Sequence, residues 1–143
     1  MVLCDVNVVL GAGMRESPHH DVCRARIDGL LNAQERFAIS DLVLSAVIRI
    51  ATNPKVFKKP SSLASAFAFV RTFRDHPDAV VVSPGPRHWR IFQELATKSN
   101  CRGADTTDAY LAALAVEHGC EWWTADAGFG RFPGLRWRNI LSG

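Results

Sequence analysis

No apolar run in this 143-residue chain approaches the ~20 residues that a bilayer-spanning helix requires, so a membrane role is not expected. The start, "MVLCDVNVVLGAG", has no basic leader and carries an acid inside its apolar stretch, which argues against a secretory signal. Cysteines are few, and none form a C-x-x-C pair. Cys4, Cys23, Cys101 and Cys120 are scattered, which speaks against zinc and for reduced, mostly buried thiols in a cytoplasmic protein. Neither G-x-x-x-x-G-K-[ST] nor G-x-G-x-x-G is present to cradle phosphates, and the "GAG" at 11–13 is too short to do so. No G-x-S-x-G elbow marks an acyl-transfer nucleophile. The His19–His20 pair opens a helical stretch, where histidines are ordinarily solvent-exposed. Repeats, low-complexity segments and long linkers are also missing, so a single domain over 1–143 is expected.

The chain has enough apolar material for a core: 48% of residues are hydrophobic and 22% charged, the balance of a globular protein. Net charge is +3, and its distribution says more than its size. "RIATNPKVFKKP" holds Arg49, Lys55, Lys58 and Lys59 without an acid; "GRFPGLRWRN" holds Arg131, Arg136 and Arg138, also without one. Phe57, Phe132 and Trp137 are interleaved with these cations. Each run alone reads as a solubilising loop. Together they raise contact with RNA or DNA.

Short β-branched runs alternate with helical spacing. "VLCDVNVVL" reads as a buried first strand ending near Asp5. Residues 19–34 read as a helix with Val22, Ile27, Leu30 and Leu31 on one side. "RFAIS" is a second strand, and "DLVLSAVIRIATNP" a helix capped by Ser40 or Asp41 and closed by Pro54. "SSLASAFAFVRTFRDH" is a serine-opened helix, "AVVVSP" a strand, and "PRHWRIFQELATKS" a helix with proline in its first turn. "DTTDAYLAALAVEHG" is an apolar helix ending at Gly119, followed by the strand "EWWTAD" and a fifth, "LRWRNI". The pattern predicts an α/β three-layer sandwich: a mainly parallel sheet of about five strands, flanked by helices. Sites in such sheets form at the carboxyl ends of strands.

That rule selects four acids. Asp5 ends strand one and Asp126 ends strand four, while Asp105 and Asp108 open the helix that leads into strand four. Asp5 is flanked by two hydrophobic runs, where an unpaired carboxylate costs several kcal/mol. Asp105 suits an N-cap and Asp108 the N3 position, with Thr106 and Thr107 as further caps, yet a cap needs one such residue and not four. The i, i+3 spacing also puts both carboxylates on one helix face. Asp126 alone reads as a turn aspartate. Carboxylates clustered in this way repel and call for Mg²⁺ or Mn²⁺, hard cations that take oxygen ligands. Such an ion suits phosphodiester hydrolysis. An aspartyl-nucleophile phosphatase would want a second acid two residues after Asp5, where Asn7 stands.

Asp5-Val-Asn7, "TDAYLAALAVEHG" and "TADAGFGRF", in this order and with "RIATNPKVF" and the closing "GLRW", resemble the PIN-domain ribonucleases, in particular the VapC toxins of bacterial toxin–antitoxin pairs. The likeness spans nearly the whole chain. It implies a five-stranded parallel sheet, Mg²⁺- or Mn²⁺-dependent endoribonuclease activity on tRNA or rRNA, a VapB-like antitoxin and a homodimer. Matched by position, Asp5, Asp108 and Asp126 are the acidic residues. Asp105 is an extra acid, Thr124 the small hydroxyl before the last acid, and Asn7 the support of the first. Two departures stand out. Ala46 occupies the place of a frequent glutamate in the second helix, and Gly128 the place of an acid in some relatives. Asp41, five residues from Ala46, lies about 140° around a helix from it and replaces that acid poorly. The departures leave open a catalytically degenerate module that binds RNA or a partner without cutting.

Overall fold

The structure is a computed structural model in which residues 1–142 are described. Five strands, β1 (Val2–Cys4), β2 (Phe37–Ile39), β3 (Ala79–Val81), β4 (Glu121–Thr124) and β5 (Trp137–Asn139), form one sheet in the order β3-β2-β1-β4-β5. Every pairing is parallel, including Leu3 with Ala38 and Cys4 with Trp123. Helices α1 (Val6–Gly13), α2 (His20–Asn32), α3 (Asp41–Ala51), α4 (Leu63–Arg74), α5 (His88–Lys98) and α6 (Asp105–Glu117) cover the sheet, and a 3₁₀ turn spans Ala127–Arg131.

Strand alternation divides the core into two layers. Leu3, Ala38 and Trp122 face α5, α6 and the 3₁₀ turn with Phe129 and Phe132. Cys4, Phe37 and Ile39 face α1 to α4, against Val8, Ile27, Val47 and Phe73. Residues Ala109 and Leu111–Ala115 of α6 are all buried, as expected for a helix that is apolar around its circumference. The expected three-layer sandwich is therefore present, with a wholly parallel sheet.

Local readings mostly hold. Ser40 caps α3 and Ser62 caps α4, each accepting from a backbone N–H three residues on. Gly119 follows α6 at φ +66°, a conformation that glycine adopts without strain. Four readings need correction. The first strand stops at Cys4, and "VNVVLGAG" is α1, capped by Asp5 itself. On α2 the inward residues are Cys23 and Ile27, while Val22 is exposed. Pro86 precedes the cap residue Arg87 of α5 instead of sitting in the first turn. Asp105 is not the cap of α6: Ala104 is, and it makes no side-chain cap bond.

Candidate active site

β1 and β4 are neighbours, so their carboxyl ends put Asp5 beside Thr124. The Asp5 N–H donates to the Trp123 carbonyl at 2.8 Å and extends the ladder by one bond. Its carboxylate then accepts the Val6 N–H at 2.7 Å and the Thr124 hydroxyl at 2.7 Å. The Thr124 oxygen accepts the Asp126 N–H at 3.0 Å, and Asn7 Oδ1 accepts the Ala125 N–H at 3.1 Å. Asn7 Nδ2 also reaches Thr124 at 3.5 Å. Seven residues from two chain segments thus hold one another at the sheet edge. Asp126 closes the turn by accepting the Gly128 N–H at 2.8 Å.

The α6 start brings in the remaining acids. Gly103, at φ +55°, bends the chain so that backbone carbonyls satisfy the first amides. Asp105 N–H donates to Arg102, Thr106 N–H to Gly103 and Thr107 N–H to Ala104. No side-chain cap is needed, and both carboxylates are left for other partners. They meet Arg131, whose Nη2 lies 3.1 Å from Asp108 Oδ2 and 3.6 Å from Asp105 Oδ1.

The electrostatics show a coupled set. Burial pushes Asp5 up to about 6; the bonds from Thr124 and Val6 oppose this, and the charges of Asp108 and Asp126 add to it. Burial also raises Asp108, against the pull of Arg131 and with the push of Asp126 and Asp105. Asp5, Asp108, Asp126 and Asp105 therefore share one edge, as the strand-end rule requires. Their donor chemistry, oxygen throughout and mutually repelling, suits a hard divalent cation. Among the described residues, however, no three His, Cys, Asp or Glu side chains already converge closely enough to hold an ion.

The basic runs fare differently. In the second, all three arginines have partners within the chain: Arg131 on the acids, Arg136 on the Gly119 carbonyl and Arg138 on Glu121. Phe57 and Phe132 are buried, and Trp137 packs on the core, so none of these aromatics is a free stacking platform. Arg49, Lys55, Lys58 and Lys59 are exposed. They stand near the far end of α3 and in the loop beyond it, with the backbone N–H groups of Lys58 and Lys59 fixed by Glu16. Arg49 lies about 12 Å along α3 from its first residue, Asp41. Arg131 as a member of the acidic site was missed by sequence reasoning. The clue was its position five residues after Asp126, in a turn cleared by two glycines.

The PIN domain family model matches residues 2–135. The VapC ribonuclease Mb2897 of Mycobacterium bovis is 39% identical over 143 residues, covering 100% of this chain and 97% of that protein. Among solved structures, VapC20 of Mycobacterium tuberculosis, a sarcin–ricin loop cleaving toxin, superposes with a TM-score of 0.68 at 14% identity, over 95% of this chain and 99% of that one. VapBC2 from Rickettsia felis, bound to a DNA fragment from its promoter, gives 0.66 at 18% identity, over 96% and 98%. These two structural likenesses show the fold.

Proposed function

The chain belongs to the PIN-domain family, and from that premise we propose that it is a VapC-type toxin. It is an endoribonuclease that hydrolyses phosphodiester bonds in particular tRNA or rRNA sites and so inhibits translation. The observation that carries this reading is the convergence of Asp5, Asp108 and Asp126 at one sheet edge, where Asp5 feels the charges of Asp108 and Asp126, and Asp108 that of Asp126. The name of the 39%-identical relative supports it independently.

Mg²⁺ or Mn²⁺, held by Asp5, Asp108 and Asp126 with Asp105 at the margin, would activate water and offset phosphate charge. The protein's own part is positional. Thr124 fixes one oxygen of Asp5 and anchors the Asp126 backbone, so both acids share a single hydroxyl as reference point. Asn7 ties α1 to the turn after β4 and keeps the two segments in register. Arg49, Lys55, Lys58 and Lys59 hold the RNA backbone away from the cutting point. A VapB-like antitoxin, as in the VapBC structures that resemble this chain, would block the edge. A homodimer in the cytoplasm, where four free thiols stay reduced, completes the reading.

A second reading rests on Ala46 and on acids that do not close into a ready ligand group: a module that binds RNA or a partner without cutting. One experiment separates them. Purified chain is incubated with total tRNA and rRNA in Mg²⁺, in Mn²⁺ and in chelator, beside Asp108→Ala. Discrete fragments that need metal, and that fall about a thousandfold in the variant, support the nuclease. RNA binding without fragments, from folded protein freed of antitoxin, supports the binding module.

A further inference from the structure

Among the described residues, Arg131 is the one cation seated among the acids. Its Nη2 bridges Asp108 at 3.1 Å and Asp105 at 3.6 Å, Nη1 donates to the Gly128 carbonyl, and the guanidinium carbon lies 4.4 Å above the Phe132 ring. A carboxylate pair, a carbonyl and an aromatic face thus fix a side chain that is 29% exposed. Gly128 makes the seat possible: a Cβ there would stand 2.7 Å from Nη1. No other basic side chain of the described residues forms an ion pair with Asp105 or Asp108.

We infer that Arg131 is a resident counter-cation that neutralises Asp108 and Asp105 in the metal-free protein and competes with the divalent ion for Asp108. This rests on the metal-dependent reading above. The charge logic is direct. Asp5, Asp105, Asp108 and Asp126 carry four like charges at one edge, and Arg131 lowers the cost of holding two of them together. Its hydrogen bond to Asp108 also takes an oxygen that an ion would use. A divalent ion can then bind Asp108 fully only as that bond is given up, so Arg131 weakens metal affinity while stabilising the metal-free fold. Arg131 is therefore a positioning residue that sets how much metal the site needs before it fills.

The test is calorimetric Mn²⁺ binding and metal-free melting for wild type, Arg131→Met, Arg131→Lys and Asp108→Ala. Methionine keeps an apolar stem over Phe132 and removes the charge, and lysine keeps the charge. The expected result is Mn²⁺ binding about tenfold tighter in Arg131→Met, with Arg131→Lys near wild type. The methionine variant should melt lower than wild type without metal and recover with saturating Mn²⁺. A merely structural role would lower melting with and without metal alike and leave affinity unchanged, which overturns the inference. Weaker RNA binding in Arg131→Met with unchanged Mn²⁺ affinity also overturns it and makes Arg131 a phosphate contact. Mn²⁺ binding by wild type that is lost in Asp108→Ala keeps the metal reading intact even then. Binding by no variant removes both, and binding gained only in Arg131→Met upholds the inference in its strongest form.

Discussion

Asp5 and Glu117 are almost equally buried, at 7% and 8% exposure, yet their carboxyl groups are shifted in opposite directions. Both accept two hydrogen bonds. Asp5 takes one from the Val6 N–H and one from the Thr124 hydroxyl, and Glu117 takes the Gly85 N–H at 2.8 Å and the Arg87 N–H at 3.0 Å. Burial pushes each acid up. For Glu117 the two N–H bonds and the neighbouring His118 and His88 outweigh burial and hold it below its usual range. For Asp5 the neighbours are Asp108 and Asp126, and it rises to about 6. Similar exposure thus goes with opposite shifts: at Asp5 desolvation prevails and the like charges of Asp108 and Asp126 add to it, whereas at Glu117 two N–H bonds and the adjacent histidines prevail. Glu117, at the end of α6, locks that helix to the loop before α5, and Arg87 adds a bond to the Glu117 carbonyl. At the opposite end of the same helix, Asp105 and Asp108 share one cation, Arg131.

The contrast can be broken by removing either acid. Glu117→Ala deletes two charge-assisted bonds and should cost about 3 kcal/mol, read as a lower urea midpoint at unchanged slope. A loss below the error of the fit would show that the loop does not depend on this carboxylate. Asp5→Asn should do the reverse in metal-free protein and add roughly 2 kcal/mol at pH 7 while abolishing RNA cutting. The pH dependence sharpens this. The raised Asp5 is protonated more readily in the folded than in the unfolded chain, so its contribution is favourable below about pH 4 and is lost as pH rises to about 6. The lowered Glu117 contributes fully above its ordinary value of 4.5 and is lost as pH falls below it. Melting curves from pH 3 to 8 should lose the first slope in Asp5→Asn and the second in Glu117→Ala. Parallel curves for all three proteins would mean that the two acids do not differ as their surroundings imply.

Much of this was legible in the chain. Ser40, Ser62 and Gly119 punctuate helices by mechanisms that act within one turn, so local sequence suffices. The helix α1 was not legible, because "VNVVL" has strand composition and becomes helical through Val8, Val9 and Ala12 packing on α2 and α3. Its start signal was present, since Asp5 is both an N-cap and the first acid, and the second property masked the first. On α2 a shift of one residue in register brings Cys23 inward and leaves Val22 outside. The acids could be found because carboxylates at strand ends are rare enough to stand out. Arg131 was masked, because it lies 23 residues from Asp108 and composition makes an arginine beside glycines look like a solvated loop. Phe57 and Phe132 misled for the same reason: their burial is a tertiary fact.

Asp41 supplies the weakest perturbation and the strictest control. It is another acid at a helix start, five residues before the Ala46 that stands in the place of a family glutamate. Its carboxylate pairs with Arg74, at 2.9 Å from Nε and 3.2 Å from Nη2, and this bonding holds it below its usual range. The side chain is 61% exposed, so solvent screens the pair. Being compensated like Glu117 and exposed unlike either buried acid, it should matter to neither stability nor chemistry. Asp41→Asn is expected to leave the melting temperature, Mn²⁺ affinity and RNA cutting within experimental scatter of wild type. A several-fold loss of Mn²⁺ affinity would instead show that Asp41 leaves Arg74 to make good the acid that Ala46 lacks, and the division between compensated and uncompensated carboxylates would then fail at this position.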